Sequence, residues 1–122
     1  MESIAIVGAS KDRKRFSNKA VRAYVSKGYR VFPVNPKEKE VEGIPCHPSV
    51  LDVPEHIDSV SFYVNPAIGL GIADDVIQRK IRRVYLNPGS ESAELAKKLK
   101  EAGIETLLTC SILAIGINPQ DL

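Results

Sequence analysis

The sequence predicts an α/β fold, in which a parallel β-sheet is covered by helices on both faces. Apolar runs of strand length alternate with stretches whose apolar residues recur with a helical period, and Gly, Pro or Asn marks each change. The first run, residues 4–7 (IAIV), is apolar at every position, as expected of a parallel strand buried on both faces. Strands and helices in this alternation build one parallel sheet through right-handed crossovers.

Length and composition bound the class of protein. The 122 residues suffice for one domain, so we expect a single domain over residues 1–122, without a second catalytic domain. With 43% hydrophobic and 26% charged residues, the composition is that of a globular chain. No apolar run approaches the roughly 20 residues of a membrane span, and the first residues do not resemble a signal peptide. We therefore expect a cytoplasmic protein that contacts no membrane.

Charge and cysteine content exclude two further classes. The net charge of +2 and the sequence pI of about 8.6 fall short of what a dedicated nucleic-acid binder shows, so no nucleic-acid partner is expected. Cys46 and Cys110 lie far apart, and no histidine stands at metal-ligand spacing from either. We expect two reduced thiols, no disulfide and no metal site.

The first helix and the second strand follow residues 4–7. Apolar residues at 20, 21, 24 and 25 share one helical face from Asn18 onward, and Ser17 is the expected N-cap. Gly28 supplies a left-handed stop. Residues 29–34 form the next strand candidate, and Pro33 and Pro36 prevent the chain from continuing as strand or helix beyond it.

A charged and proline-rich connection separates the second strand from the third. Within residues 37–57 a short strand is possible at 41–44 and one helical turn near 49–53. Residues 60–64 form the third main strand. It ends at Asn65 and Pro66, an N-cap followed by proline at the first helical position.

The last third of the chain repeats the alternation. Apolar spacing predicts a helix to about Lys80, a strand at 83–86, a second helix ending at Gly103 and a fifth strand at 105–109. In that second helix Glu94 and Lys98 have the spacing of an ion pair. Residues 112–117 are too apolar for a free tail, so we expect this segment to pack on the domain, on a partner chain or on a second copy.

The five main strands predict a Rossmann-like sheet in the order 3-2-1-4-5. Ligands of such sheets bind outside the carboxyl ends of the strands, at the point where the strand order reverses. We therefore expect a ligand site in the loops that follow the strands.

The loop after the first strand has the features of a phosphate site. Gly8 lets a bound group approach the backbone, and the amides that lead into the next helix direct partial positive charge toward anions. A solvated basic loop is the alternative, but the position after the first strand favours phosphate binding. Four cations stand within five residues, namely Lys11, Arg13, Lys14 and Arg15.

The nucleotide fingerprints of larger families are missing. The next glycine after Gly8 is Gly28, so neither GxGxxG nor GxxxxGK[ST] is present. An NAD-binding domain usually places an acidic residue after its second strand, whereas this chain has Asn35, Pro36 and Lys37. A basic residue there favours an extra phosphate, such as the 2′-phosphate of NADP or the 3′-phosphate of coenzyme A (CoA), over plain NAD.

Two glycines follow the third strand inside a predicted helix. Gly69 and Gly71 should each cost about 1 kcal/mol relative to alanine, so something is expected to pack closely there. Tight packing of the helix on the sheet and approach of a ligand explain them equally well. The fourth loop, residues 87–90, is typical of a turn that precedes an N-cap.

Several segments together resemble a known family. They are residues 7–10 (VGAS), 28–36 (GYRVFPVNP), 43–54 with SVLD at 49–52, 87–89 (NPG) and Cys110. In this order the chain resembles the small stand-alone CoA-binding proteins, which are similar to the CoA-binding domain of the succinyl-CoA synthetase α subunit. Many relatives have glutamine ahead of Pro-Gly in the fourth loop, where this chain has Asn87. The thiol end of the site is therefore the part that departs most from the family's pattern.

The resemblance implies that CoA lies across the strand ends. The first loop would meet the diphosphate, the second would line the adenosine and its 3′-phosphate, and the third would flank the adenine or the start of the pantetheine arm. The residues implied are Gly8, Ala9, Ser10, Lys11, Arg15, Phe16 and Ser17 in the first loop, Pro33, Val34, Asn35, Pro36 and Lys37 in the second, and Val64, Asn65 and Pro66 in the third.

No catalytic constellation is recognisable. His47 and His56 belong to no triad or metal pattern, so surface or structural roles are expected for both. A succinyl-CoA synthetase uses a phosphorylated histidine of a second domain, so a complete acyl-CoA ligase is not expected. Cys110 follows the fifth strand, and either a mixed disulfide with the CoA thiol or a buried inert thiol is compatible with the sequence.

The sequence therefore predicts a binder of CoA or acyl-CoA with no identifiable catalysis. One alternative is an NADP-dependent oxidoreductase on the same sheet, against which the missing GxGxxG counts. The other is a CoA-binding subunit of a multi-chain acyl-CoA enzyme, to which the apolar segment 112–117 could bind its partner chain.

Overall fold

The computed structural model describes residues 1–122. Strands and helices alternate along the chain, and two short 3₁₀ turns cover Val50–Asp52 and Pro119–Asp121. In chain order the elements are β1 (Ser3–Val7), α1 (Phe16–Ser26), β2 (Arg30–Val34), β3 (Glu40–Val41), β4 (Ile44–Pro45), β5 (Ser59–Phe62), α2 (Pro66–Gln78), β6 (Arg83–Leu86), α3 (Ala93–Glu101), β7 (Glu105–Leu107) and α4 (Ser111–Ala114).

The predicted fold class is confirmed. Five strands form one sheet in the order β2-β1-β5-β6-β7, and every neighbouring pair runs parallel. Outside β2, the segment ending at His47 makes one parallel bridge to Val34. When this segment is taken as a further strand, the order is of the 3-2-1-4-5 type. The strand predicted as the third, residues 60–64, is β5 and lies beside β1. The strand order therefore reverses between β1 and β5.

Two apolar clusters cover the two faces of the sheet. Alternate residues of β1 point to opposite faces, as the pleat requires. Ala5 and Val7 belong to the cluster that includes residues of α2 and α3, whereas Ile4 and Ile6 belong to the cluster that includes residues of α1 and α4. Helices therefore pack on both faces, and the carboxyl edge of the sheet is left to loops.

The start of α1 differs from the prediction. The helix begins at Phe16, with Arg15 at the N-cap and no side-chain cap, so the expectation that Ser17 caps it is wrong. Tight turns before the helix account for this, because Asp12 accepts hydrogen bonds from Lys14 N and Arg15 N and brings the chain into helical conformation early. Gly28 ends the helix with φ +83°, as predicted.

Other local predictions are mostly confirmed. Asn65 caps α2 by accepting a hydrogen bond from Ile68 N at 3.0 Å, with Pro66 at the first helical position. The short strand predicted at residues 41–44 is instead a hairpin, because Glu42 and Gly43 have positive φ and form the turn between β3 and β4. The predicted helical turn is present at Val50–Asp52. The prediction of an ion pair between Glu94 and Lys98 is wrong. Lys98 Nζ lies 3.1 Å from the carboxylate of Asp74 in α2 instead, because α3 packs beside that helix.

The apolar segment near residue 112 packs on its own chain. Ile112 is fully buried and belongs to the cluster that covers β1 on the α1 side. The hydroxyl of Tyr24 in α1 donates to Ser111 O at 2.7 Å, and Lys19 Nζ donates to Pro119 O at 3.2 Å. None of the helices has the length and hydropathy that crossing a bilayer would require.

The two glycines of α2 have different surroundings. A Cβ atom on Gly69 would lie 2.9 Å from Leu95 Cδ2 and 3.3 Å from Phe62 Cδ2, so this glycine lets α2 pack tightly on the sheet and on α3. Around Gly71 no atom lies within 4 Å of such a Cβ. The packing interpretation therefore holds for Gly69 and not for Gly71.

Alanine at these two positions should change the stability by different amounts. Gly71→Ala should raise the free energy of unfolding by about 1 kcal/mol, because it removes the helix-propensity cost of glycine. The free energy of unfolding of Gly69→Ala should be about 1 to 3 kcal/mol lower than that of Gly71→Ala, because Leu95 must shift inside the core. Urea denaturation of both variants measures the difference. Equal gains would show that α2 does not press on the sheet at Gly69.

Candidate functional site

Three strand ends meet at Gly8. Its φ of +88° is in the left-handed region, and a Cβ there would lie 2.9 Å from Tyr63 O, immediately after β5. The Gly8 and Ala9 amides both donate to Val34 O at the end of β2, at 2.9 and 3.2 Å. The glycine is therefore required by backbone conformation and by space. The first two amides of the loop already have protein acceptors, so amides for an anion must come from further along the chain.

Free amides are found at the start of α1. The first amide of this helix that donates to the protein is that of Lys19, to Arg15 O at 3.1 Å, so those of Phe16, Ser17 and Asn18 have no protein acceptor. No acidic residue stands in the first turn. Uncapped amides and the helix dipole make this end attractive to an anion. It opens into a groove of about 260 Å³ lined by Gly8, Arg15, Phe16, Ser17 and Tyr63.

A larger cleft of about 400 Å³ lies between the end of β2 and helix α2. Aliphatic and proline side chains form its walls, and a few polar side chains stand at its rim. The lining consists of Val7, Gly8, Val34, Asn35, Pro36, Lys37, Pro48, Ser49, Val50, Val64, Ile68, Ile72 and Asp75. Such a mixture is typical of a site for an organic ligand with a flat apolar part.

A third, smaller pocket of about 150 Å³ continues the series. It is lined by Phe16, Tyr63, Asn87, Pro88 and Cys110. Gly8 lines both the cleft and the groove, and Phe16 and Tyr63 line both the groove and this pocket. The cleft, the groove and the pocket therefore form one path along the carboxyl edge of the sheet, which we call the strand-end path.

The basic side chains near the path differ in how they are engaged. Arg13 forms an ion pair with Glu42, with a nitrogen to oxygen distance of 2.6 Å, and the guanidinium of Arg15 lies 3.8 Å from Asp12. The ammonium groups of three lysines, Lys11, Lys14 and Lys37, form no ion pair in the structure. Of these lysines, only Lys37 lines the cleft.

Asn35 connects the first loop to the second. Its Nδ2 donates to Ala9 O at 2.8 Å, and its Oδ1 accepts from Lys37 N at 2.8 Å. Its own amide donates to His47 O at 2.9 Å. The asparagine thereby holds the backbone of residue 37 at the mouth of the cleft, and with it the lysine side chain.

A buried polar network supports the other end of the path. Asn87, which is 1% exposed, donates to Ser61 Oγ and Phe62 O and accepts from Ser111 N, each at 2.8 Å. The hydroxyl of Ser111 contacts those of Ser61 and Tyr63, at 2.8 and 3.1 Å. Burial raises the pKa of Tyr63 to about 12, so its hydroxyl stays neutral at ordinary pH. The network fixes the chain just after Cys110.

The structure brings together nine of the residues predicted for the site. Ala9 and Pro33 are buried, Asn65 is engaged as the cap of α2, and three exposed or half-buried residues, Ser10, Lys11 and Pro66, lie outside the three cavities. Those that line the strand-end path are Gly8, Arg15, Phe16, Ser17, Val34, Asn35, Pro36, Lys37 and Val64.

Sequence reasoning missed several lining residues. Ser61 gave a signal for the Asn87 network, because it is a polar residue between two apolar ones, Val60 and Phe62, in a buried strand. Ile68, Ile72 and Asp75 fall on one side of α2 by helical spacing, but nothing local shows that this side faces a ligand cleft.

The two cysteines have different positions. Cys110 is half-buried and lines the third pocket. Cys46 lies behind the second loop, with Sγ 3.7 Å from Asn35 O, and burial raises the pKa of its thiol. No three His, Cys, Asp or Glu side chains are placed to hold a metal ion. Of the two thiols, only that of Cys110 reaches the strand-end path.

Fold and site together define a class: a Rossmann-like α/β fold with an uncapped helix N-terminus and an adjoining cleft at the switch point of the sheet. The chain belongs to the family described as CoA binding domain, whose model matches residues 2–116.

Relatives in this family differ greatly in length. The ADP-forming acetate–CoA ligase I of Archaeoglobus fulgidus is 32% identical over 105 residues, which are 80% of this chain and 15% of the ligase. A conserved hypothetical protein of Pyrococcus furiosus is 35% identical and superposes with a TM-score of 0.86, and the match covers 93% of this chain and 99% of that one. The dinucleotide-forming acetyl-coenzyme A synthetase 1 of Ca. Korarchaeum cryptofilum is 30% identical, with a TM-score of 0.77, over 88% of this chain and 25% of the synthetase. This chain therefore corresponds to a small part of the ligases.

Replacing Asn87 tests the buried network. Asn87→Ala should lower the free energy of unfolding by about 3 kcal/mol, because each buried polar group left without a partner costs about 1 to 3 kcal/mol. Asn65→Ala, which removes an exposed helix cap, is the control and should cost about 1 kcal/mol. Chemical denaturation compares the two. A loss at Asn87 no larger than at Asn65 would show that water replaces the amide and that the network does not hold the chain after Cys110.

Proposed function

We propose that the chain binds CoA or an acyl-CoA along the strand-end path. The observation that carries the proposal is the uncapped start of α1, which opens into a groove that adjoins a larger cleft on one side and a smaller pocket on the other. A long ligand with a charged centre and two less charged ends fits this order of cavities. Membership in the CoA binding domain family supports CoA as that ligand.

The diphosphate would lie at the start of α1. The amides of Phe16 and Ser17 would donate to phosphoryl oxygens, and Arg15 would add a charged donor. Gly8 would permit this approach, because its missing side chain leaves the groove open beside the backbone of β1. Its own amide stays bonded to Val34 O and would take no part.

The adenosine would occupy the cleft. Its walls of Val34, Val64 and Ile68 offer apolar contact to a flat base, and Lys37 at the rim offers an unpaired ammonium group to the 3′-phosphate. The predicted contacts outside the cavities keep supporting roles in this proposal. Ala9 and Pro33 would shape the backbone behind the ligand, and Asn65 would fix the start of α2.

The pantetheine arm would run from the groove toward the third pocket. Phe16 and Tyr63 line both cavities, so they would flank the arm as it leaves the diphosphate. The thiol or the acyl group would then lie on the side of Cys110. Neither His47 nor His56 lines this part of the path, so we infer binding rather than turnover by this chain.

A second candidate is the CoA-binding subunit of a multi-chain acyl-CoA enzyme. The matching ligases are several times longer than this chain, and one relative, from Pyrococcus furiosus, is named as a subunit alpha of an ADP-forming acetate–CoA ligase. A partner chain would then supply the chemistry and meet the thiol end. The CoA site would be the same in both cases.

Calorimetric titration with CoA, 3′-dephospho-CoA, NADP and NAD tests the proposal. CoA should bind most tightly, because it alone combines the diphosphate, the 3′-phosphate and the pantetheine arm. A preference for NADP would instead favour an oxidoreductase, and no binding of any of the four would remove the proposed function.

Lys37 provides the sharper test within that series. Lys37→Ala should weaken the binding of CoA by about 1 to 3 kcal/mol, the range of a charge-assisted hydrogen bond. It should leave the binding of 3′-dephospho-CoA nearly unchanged. Lys27→Ala, at the far end of α1, removes the same charge and is the control. Equal losses for both ligands in Lys37→Ala would contradict the placement of the 3′-phosphate.

The hypothesis of a mixed disulfide at Cys110 has its own test. Thiolate attack on CoA disulfide would form the protein–CoA disulfide and release one CoA thiolate. Mass spectrometry of protein prepared without reductant should then show one CoA-sized adduct on Cys110 and none on Cys46, the control thiol, which is also half-buried but lies outside the path. The absence of an adduct would leave Cys110 as an inert thiol.

A further inference from the structure

The cleft contains one carboxylate, that of Asp75 on α2. The side chain is half-buried and has no ion-pair or hydrogen-bond partner within the protein. Arg79, one turn further along the same helix, does not neutralise it, because its guanidinium donates to the carbonyls of Val50, Val53 and Glu55 at 2.6 to 2.8 Å. A carboxylate that faces a cleft without a partner requires a donor from solvent or from a ligand.

Asp75 stands at the end of the cleft remote from the start of α2. Ile68, Ile72 and Asp75 line the cleft at successive turns of the helix, and the seven steps from the first residue to the last rise about 10 Å. Ile68 lies in the first turn, near the carboxyl edge of the sheet where Gly8 is found. A nucleoside whose phosphates lie at that edge would therefore extend its base toward Asp75.

Charge determines which part of the ligand this end accepts. A carboxylate repels phosphoryl groups, so the three phosphoryl groups of CoA would lie away from Asp75. The diphosphate would lie at the start of α1, and the 3′-phosphate near Lys37. The ribose lies between the phosphates and the base, which leaves the edge of the base for Asp75. Adenine presents an amino group at position 6, which donates a hydrogen bond, whereas guanine and hypoxanthine present a carbonyl oxygen there.

We propose that Asp75 makes the cleft specific for adenine by accepting a hydrogen bond from the 6-amino group. The inference rests on the proposed binding of CoA and adds the base specificity of that site. A 6-oxo base would place a second acceptor against the carboxylate, and this unpaired contact disfavours it.

Titration of the full chain with CoA and with its hypoxanthine analogue, in which oxygen replaces the 6-amino group, tests the inference. The unsubstituted protein should bind CoA about tenfold more tightly than the analogue, the ratio expected from one ordinary hydrogen bond. Asp75→Ala should lose this preference, and Asp75→Asn should bind the analogue more tightly than the unsubstituted protein does, because an amide can donate to the carbonyl.

Asp74→Ala is the matched control. It removes the same charge from the adjacent position, but Asp74 is exposed and faces Lys98 of α3 rather than the cleft. The control should keep the preference for CoA, and the thermal midpoint of each variant confirms that it is folded.

Two results would overturn the inference while leaving the proposed function intact. One is equal binding of CoA and its analogue by the unsubstituted protein. The other is tighter CoA binding in Asp75→Ala, which would mean that the carboxylate only opposes the phosphates. Failure of the unsubstituted protein to bind CoA at all would remove the proposed function, and the inference with it.

Discussion

The site depends on how closely three strand ends approach one another at Gly8. Val34 O at the end of β2 accepts both the Gly8 and the Ala9 amides, and the carbonyl of Tyr63 after β5 lies where a side chain on Gly8 would be. These contacts join β2, β1 and β5 at the point where the strand order reverses. Every cavity of the strand-end path opens next to this junction or to a residue that adjoins it. A larger residue at position 8 would separate the strand ends and displace the first loop from them.

Two parts of the chain extend from this junction and differ in their hydrogen bonding. On one side, the uncapped start of α1 supplies amides that need an acceptor, and the turns centred on Asp12 keep the helix from being capped by its own side chains. On the other side, the amide of Asn87 ties β5 to the chain after Cys110 through hydrogen bonds that are wholly buried. One end therefore has amides without a protein acceptor, whereas at the other end the polar groups are bonded within the protein. This division explains how a small α/β chain can present a long and mostly preformed path.

The sequence predicts the fold well, because each strand and helix has its own periodicity and its own terminating residue. Asn65 before Pro66 and Gly28 after α1 act as expected, since their effects are local. The start of α1 is predicted wrongly, because Ser17 has the chemistry of a cap but the turns before it bring the chain into the helix earlier. The first loop is predicted to bind phosphate from its glycine and its charges, but the amides without a protein acceptor are those of the helix and not those next to the glycine.

Asp75 and the lining residues of α2 were missed for a different reason. Their position at the cleft depends on how α2 packs against Phe62 and Leu95, and on where the segment of Pro48 crosses the end of β2. Such contacts join residues that are distant in sequence, so no local pattern reveals them. Asn87 belongs to the same group, because its partners lie on β5 and after β7.

In the proposed function, free amides at the start of α1 hold the phosphates of CoA. Two-dimensional ¹H–¹⁵N NMR of the labelled protein during addition of CoA measures this directly. The largest changes should fall on the amides of Phe16, Ser17 and Asn18, with the amide of Gly8 less affected because it stays bonded to Val34 O. Saturation with CoA that leaves the three helix amides unshifted would contradict the account.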